Sequence, residues 1–315
     1  MLCYYMQTIL EVKNLTKHYK QHTAVNELSF HVNQGDVYGF LGQNGAGKST
    51  TIRMLLSLIQ PTSGEIYIFG NDLNTHRNEI LQNIGAIIER PDLYKYLSAY
   101  DNLSIFAKIS NMKADRKKIM EELDRVGLAD RYNSKVNTFS QGMKQRLGIA
   151  VALIHNPSLI ILDEPTNGLD PQGIADMRKL ILSLSYEMNK TVMVSSHLLS
   201  EIELIANRMI VIDKGKKIVE GSVRELLDPS KTSLQIDTTD NDLAFVTLQN
   251  TNWTGSLVRK ADRIELQISK SDIPLLVKHL TESNIGIHAL QPRHSLEAYF
   301  LSLTNPENHV EPVAN

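Results

Sequence analysis

Two segments near the start of the chain, "TILEVKNLTKHY" (8–19) and "AVNELSFHV" (24–32), alternate apolar and polar positions, and this pattern predicts two half-buried antiparallel strands. "DVYGFL" (36–41) and "LIILD" (159–163) are short continuous apolar runs, as strands buried on both faces would be. "EIYIFG" (65–70), "TVMVSS" (191–196) and "MIVID" (209–213) read as further strands. In "GAIIERP" (85–91), Ala86, Ile87 and Ile88 predict the end of a buried strand, Glu89 stands at its exit and Pro91 ends regular pairing. Between residues 98 and 155 the period changes to that of helices. Ser98 and Asp101 predict a capping box ahead of Leu103, Phe106 and Ala107. Ile119, Leu123 and Val126 mark one face of the next helix, and Gly127 is placed to end it. Asp170 and Pro171 suit the N-cap and first position of a helix with Ile174, Met177, Ile181 and Leu184 inward. The pattern describes an α/β sheet domain over 8–225 with a helical insertion at about 92–157.

A break in composition around Asp228-Pro229-Ser230 separates a second region, 233–303. Its predicted order is strand 233–238, helix 240–250, strands 255–260 and 263–269, helix 271–283, strand 285–290 and helix 294–303. The hairpin turn falls at Ala261-Asp262. βαββαβ is the order of a small α+β ferredoxin-like domain. The polar tail 304–315 is expected to be disordered. No internal repeat or low-complexity tract is visible.

Bulk properties narrow the functional classes. At 315 residues the chain exceeds what one core usually supports, so two domains are expected. A net charge of −2 gives no electrostatic reason to expect a nucleic-acid partner. The single cysteine, Cys3, excludes a disulfide framework within the chain and fits a reducing compartment. "MLCYYMQTIL" lacks the basic start and long apolar run of a signal peptide, and Met6 is an alternative to Met1 as the start. No run approaches the roughly 20 apolar residues of a membrane span, so action at a membrane would need a partner.

The chemistry concentrates in "GQNGAGKST" (42–50), which fits G-x-x-x-x-G-K-[ST] between a buried strand and a helix. Gly42, Gly45 and Gly47 allow a tight wrap in which the N–H groups of Gln43, Asn44, Gly45, Ala46, Gly47 and Lys48 point at phosphate oxygens. Lys48 supplies a point charge, Ser49 suits Mg²⁺ ligation, and Ser49 and Thr50 open the helix whose positive end faces the phosphates. "LIILDEP" (159–165) delivers Asp163, suited to hold Mg²⁺ through water, and Glu164, suited to orient or deprotonate an attacking water.

With these motifs in place, the sequence resembles the ATP-binding cassette (ABC) transporter family over about residues 8–225, and the resemblance implies an α/β P-loop ATPase cassette: mixed sheet core, antiparallel β subdomain and helical subdomain. "FSQGMKQR" (139–146) resembles the family signature, usually Leu-Ser-Gly-Gly-Gln. Ser140 and Gly142 match it; Gln141 and Met143 depart from it. In the family this signature faces the nucleotide of the other subunit, which implies a head-to-tail dimer with a second copy or a homologous cassette. "NGLDP" (167–171) resembles the loop whose Asp170 reports across that dimer, and "SSHLLSE" (195–201) resembles the switch region, with His197 at the γ-phosphate. Tyr19 matches the position that stacks an aromatic ring on adenine, with Val25 beside the same base. ATP and Mg²⁺ are the implied cofactors, and ATP hydrolysis the implied activity.

The strings "IGAIIERP", "FSQGMKQRLGIA", "NGLDPQGI" and "SLEAYFLSLT" resemble the bacitracin-resistance and lantibiotic-immunity branch, whose members work with multi-span permeases of the type-2 (ABC-2) export class. Exporters of lipids and polysaccharides share several of them. The resemblance implies a peripheral location on the cytoplasmic face of the membrane through the permease. "RPDLYKYLSAYDNL" (90–103), with Tyr94, Tyr96 and Tyr100, corresponds to the region beside the permease groove. A ribosome-acting relative would carry two cassettes, and a chromosome-organising one a long coiled coil between the motifs. Neither feature is present. In most cassettes a glutamine follows the strand at residue 89; Glu89 replaces it, as in the lantibiotic-immunity branch. It keeps the capacity to ligate Mg²⁺ or accept from water and adds a charge near the triphosphate.

Overall fold

A computed structural model describes residues 7–20, 22–113, 115–226, 232–260 and 263–293. The chain divides into two compact units, Met1–Ser222 and Val223–Asn315.

In the first unit the two alternating segments form β1 (Thr8–Tyr19) and β2 (His22–Asn33), long antiparallel strands joined in one sheet with β4 (Ser63–Ile68) and the two-residue β5 (Asn71–Asp72), in the order β2-β1-β4-β5. The apolar runs form the other sheet. β3 (Val37–Leu41), β7 (Leu159–Asp163) and β8 (Thr191–Ser196) are buried along their full length. They lie with β6 (Ile84–Ile87), β9 (Arg208–Asp213) and β10 (Lys216–Ser222) in the order β10-β9-β3-β8-β7-β6. All neighbours are parallel except β9 and β10. Burial on both faces explains why the central strands read as unbroken apolar stretches. One hydrophobic core joins both sheets, built on Leu10, Val12, Phe30, Tyr38, Phe40, Ile52 and Ile161 among others.

Helices cover the parallel sheet: α1 (Lys48–Leu55), α2 (Arg77–Leu81), α6 (Pro171–Tyr186) and α7 (Leu199–Glu203). Between β6 and β7 the insertion contributes α3 (Ala99–Ile109), α4 (Arg116–Arg125) and α5 (Gln141–Leu153). Ser98 and Asp101 make the expected reciprocal capping box on α3. Gly127 takes φ 65° just beyond the end of α4, a left-handed stop that glycine adopts without a Cβ penalty. Asp170 caps α6 through the Gly173 N–H, with Pro171 first in the helix.

The structure corrects the sequence reading at β6. The strand ends at Ile87, Ile88 lies beyond it and is half-buried, and Ala86 is exposed. β6 is the edge of its sheet; α5 covers the Gly85 side, where an added Cβ would fall 2.3 Å from the Ala152 carbonyl oxygen, and on the other side Ile84 joins the core while Ala86 is exposed. β10 was not anticipated, because its residues are mostly polar. Its two-residue turn, Lys214-Gly215 with φ 47° and 78°, is nevertheless of the hairpin type that pairs Asp213 with Lys216.

The second unit contains α8 (Val223–Leu226), β11 (Thr232–Thr238), α9 (Asn241–Gln249), β12 (Val258–Arg259), β13 (Ile264–Ile268), α10 (Ile273–Glu282) and β14 (Ile287–Arg293). Its antiparallel sheet runs β12-β13-β11-β14, the strand order of a ferredoxin-like domain. Leu234, Ile236, Leu248, Ile264, Leu266, Leu276 and Leu280 fill its core. The turn residues Ala261-Asp262, the helix expected at 294–303 and the tail 304–315 lie outside the described residues.

Candidate functional site

Parallel strands deliver their next residues to one end of the sheet, and the chemistry-bearing residues gather there. β3 ends at Leu41, and the loop from Gly42 to Gly47 leads into α1. The Ala46 N–H donates to the Gln43 carbonyl at 3.0 Å, and the Gly42 N–H donates to the Ser196 carbonyl at 3.4 Å, so the loop is closed on itself and pinned to β8. Gly47 takes φ 104°, and an added Cβ would lie 2.5 Å from the Ala24 carbonyl oxygen, so only glycine fits. Gln43, Asn44 and Gly45 are exposed. Gly47 brings no side-chain cap to α1, so the first-turn N–H groups of Lys48, Ser49 and Thr50 have no side-chain acceptor there.

Lys48 is buried at the foot of the loop. Its Nζ donates to the carbonyls of Gly42 at 2.7 Å and Gln43 at 3.3 Å, and lies 3.3 Å from Glu164 Oε1. The other Glu164 oxygen, Oε2, is 2.8 Å from His197 Nδ1. Glu164 leaves β7 at φ 50°, and its N–H donates to Ser195 Oγ at 3.0 Å. The Ser195 hydroxyl in turn donates to Asp163 Oδ1. Asp163 is buried, and its Oδ2 has no hydrogen-bond partner among the described residues. A buried carboxylate oxygen without a partner is costly, and this one fits a hydrated cation.

Asp163 and Glu164 open onto a cleft of about 980 Å³ whose walls also include Ser49 and Glu89, so all three expected metal residues share it, while Lys48 and His197 reach it through Glu164 and are not among its wall residues. Arg90, Asp92, Gln141, Asn167 and Gly168 also form its walls. Glu89 leaves β6 at φ 57°, mostly exposed, with Oε1 2.8 Å from Arg53 Nη2. Ser140 caps α5, accepting from the Met143 N–H at 3.2 Å, and Gly142 follows it in the first turn. Asp170 is spent on its own helix cap, accepting from the Gly173 N–H at 3.1 Å. Ser140, Gly142, Asp170, Tyr19 and Val25 are not among the cleft's wall residues. Tyr19, half exposed at the end of β1, carries the Lys17 ammonium 5.2 Å from its ring centre. Val25 is fully buried behind the glycine loop, toward Gly47.

Two residues of this arrangement were missed in the sequence. Ser195 ties both acids to β8; the signal was a serine pair ending an otherwise apolar buried strand. Arg53 stands four residues after Ser49 on α1 and therefore on the same side of the helix. At the other end of β3, the Tyr38 hydroxyl donates to Glu220 at 2.9 Å. Burial, then the Glu220 charge, holds this phenol well above its usual range, so it remains a neutral donor in a buried structural network.

Residues 25–167 match the sequence profile of the ABC transporter family. The chain is 41% identical over 301 residues to an uncharacterized ABC transporter ATP-binding protein of Bacillus subtilis, covering 95% of this chain and 97% of that one. It is 49% identical over 244 residues to the bacitracin transport ATP-binding protein of Bacillus licheniformis, covering 78% and 79% respectively. Among solved structures, the ATP-binding cassette MJ0796, a dimer bound to ADP and phosphate in a post-hydrolysis state, superposes with a TM-score of 0.62 at 29% identity. The match covers 69% of this chain and 99% of that one.

Proposed function

Given that this chain belongs to the ABC transporter family and is one of its ATP-binding, ATP-hydrolysing subunits, we propose that it powers a bacterial exporter through a separate membrane permease of the ABC-2 type. The substrate class we assign is a peptide antibiotic, on the strength of the relative named for bacitracin transport. No described helix is long and apolar enough to cross a membrane; the location we propose, the cytoplasmic face of the membrane through that permease, follows from the permease partnership. Domain boundaries at 8–225 and 233–303 form part of the proposal.

The observation that carries the mechanism is Glu164, held at the cleft with one oxygen on Lys48 and the other on His197. The loop of Gly42, Gln43, Asn44, Gly45, Ala46 and Gly47 wraps the phosphates of ATP, the N–H groups of Gly42 and Ala46 holding the loop's shape and the others facing the phosphates, and Lys48, Ser49 and Thr50 present the positive end of α1. Tyr19 and Val25 form the adenine side. Ser49 and the unpartnered Asp163 oxygen would hold Mg²⁺, with Glu89 as a further carboxylate at the cleft; when bound, the ion neutralises charge developing on the phosphates. Glu164 accepts the proton of, or orients, the attacking water. His197 holds that carboxylate in place and faces the γ-phosphate. Most of the catalysis is positioning and preorganised charge.

Ser140 and Gly142 offer an anion-binding helix start to nucleotide held by a second cassette, and Asp170 lies in the loop that would meet it. The partner would be a second copy or a homologous cassette in head-to-tail contact, closing on ATP and opening after hydrolysis. Glu164→Gln tests this directly. On size-exclusion chromatography with ATP and Mg²⁺ the variant elutes as a stable dimer with bound ATP. A variant that stays monomeric, or that hydrolyses ATP at the wild-type rate, overturns the assignment. Co-purification of a multi-span permease with the tagged chain supports the transport role, and recovery of ribosomal particles instead overturns it.

A further inference from the structure

Glu89 and Glu164 sit at neighbouring exits of the same sheet. β6 and β7 are parallel with Ile87 beside Leu162, so the glutamates that follow them leave at the same end of the sheet. Both leave their strands in the left-handed region, at φ 57° and 50°. The cleft they share already holds Asp92 and Asp163 in its walls. A site that must accept a polyanion therefore carries two carboxylates, Glu89 and Asp92, beyond the pair supplied by β7 and its exit, with Arg90 as the one arginine among its described wall residues. An added negative charge of this kind repels a triphosphate across a partly solvated cleft, weakened but not abolished by screening.

The ion-pair partner of Glu89 comes from α1, the helix that follows the glycine loop. Arg53 lies one turn beyond Ser49, and its Nη2 donates to Glu89 Oε1 at 2.8 Å. Both side chains are substantially exposed, 44% and 63%, so the pair adds little to the stability of the fold. Its consequence is electrostatic and positional: it neutralises Glu89 and ties the left-handed pivot after β6 to the helix that holds the phosphates. We infer that Arg53 is a positioning residue for the nucleotide site, which makes a glutamate tolerable at residue 89 by cancelling its charge toward ATP. The inference rests on the nucleotide cradle assigned above. An arginine in the last turn of a helix also complements the helix dipole, and the experiment separates that role from this one.

ATP binding to the full chain is measured by titration calorimetry, once in EDTA and once with excess Mg²⁺. Arg53→Gln weakens ATP binding about fivefold in EDTA and less with Mg²⁺, because metal-free ATP carries more negative charge. Arg53→Lys, which keeps the charge, stays near wild type. In EDTA, where no metal is held, the double variant Arg53→Gln with Glu89→Gln recovers the affinity that Arg53→Gln alone loses, since no charge of this pair is left to cancel. Thermal unfolding of all four proteins coincides. The inference is overturned if Arg53→Gln binds like wild type, or if the double variant remains as weak as Arg53→Gln alone, as a helix-dipole role would require. A wild-type chain that bound no ATP would instead overturn the cradle assignment itself.

Discussion

Two glutamates leave adjacent strands at the same end of one sheet, both at positive φ, and both face one cleft. Their surroundings differ in nearly every other respect. Glu164 is only 16% exposed, and each of its oxygens has a cationic or imidazole partner from a different part of the chain, Lys48 from α1 and His197 after β8. Its own N–H is held by Ser195. Glu89 is 63% exposed and is held by one arginine on the surface of α1. A carboxylate whose every polar atom is held from several elements has one geometry, and preorganised geometry is what water activation requires. A carboxylate with one exposed partner can change geometry at small cost. The residue type and backbone conformation are the same; the bracing is what singles out Glu164 as the proposed reaction centre.

The sharpest way to break this contrast is Glu164→Gln. The amide keeps the shape and loses the base, so the expected fall in turnover is about 10²- to 10⁴-fold with ATP binding retained. Steady-state ATPase assays and equilibrium nucleotide binding read the two quantities separately. A loss below about tenfold would place water activation elsewhere. The next largest effect should come from Ser195→Ala. This removes the hydroxyl that donates to Asp163 and accepts from the Glu164 N–H, leaving two buried polar groups less well held. Residues that orient metal-binding carboxylates typically cost about 10- to 100-fold in metal affinity when removed. The Mg²⁺ concentration for half-maximal ATPase should rise by that order, with a smaller change in ATP binding measured in EDTA.

The strongly patterned parts of the fold were legible in the sequence. β3, β7 and β8 were visible because strands buried on both faces must be apolar throughout, and the glycine loop because close backbone wrapping leaves no alternative to glycine. The capping residues Ser98, Asp101 and Asp170 were visible because the helix end demands their chemistry. β10 was not, since an edge strand needs no apolar face, although its Lys214-Gly215 turn was there to be read. In the cleft, the motifs placed Lys48, Asp163, Glu164 and His197 along the chain, but which pairs with which depends on packing between strands. Ser195 and Arg53 escaped for that reason. A serine ending a strand and an arginine on a helix are ordinary residues until the register of β7 against β8, and the meeting of α1 with the segment after β6, brings each to a carboxylate.

The smallest expected effect comes from Glu89→Gln, and it tests the comparison most finely. The substitution replaces a charged acceptor with a neutral amide and dissolves the pair with Arg53, an exposed contact of about 0.2–1 kcal/mol. Stability should therefore change by no more than that, and ATP affinity should shift by at most about fivefold, toward tighter binding, because Arg53 is left with an uncancelled positive charge. Turnover should move far less than in Glu164→Gln, since the base and its Lys48 and His197 partners are untouched. The change should instead appear in transport: if Glu89 moves with the segment that follows β6, a cell carrying the variant should show altered antibiotic resistance at nearly normal ATPase activity. Calorimetry on the purified chain and a resistance assay in cells make the comparison. A loss of ATPase as large as that of Glu164→Gln would mean that the exposed glutamate is as deeply embedded in the chemistry as the braced one, and that exposure is a poor guide to function at this sheet end.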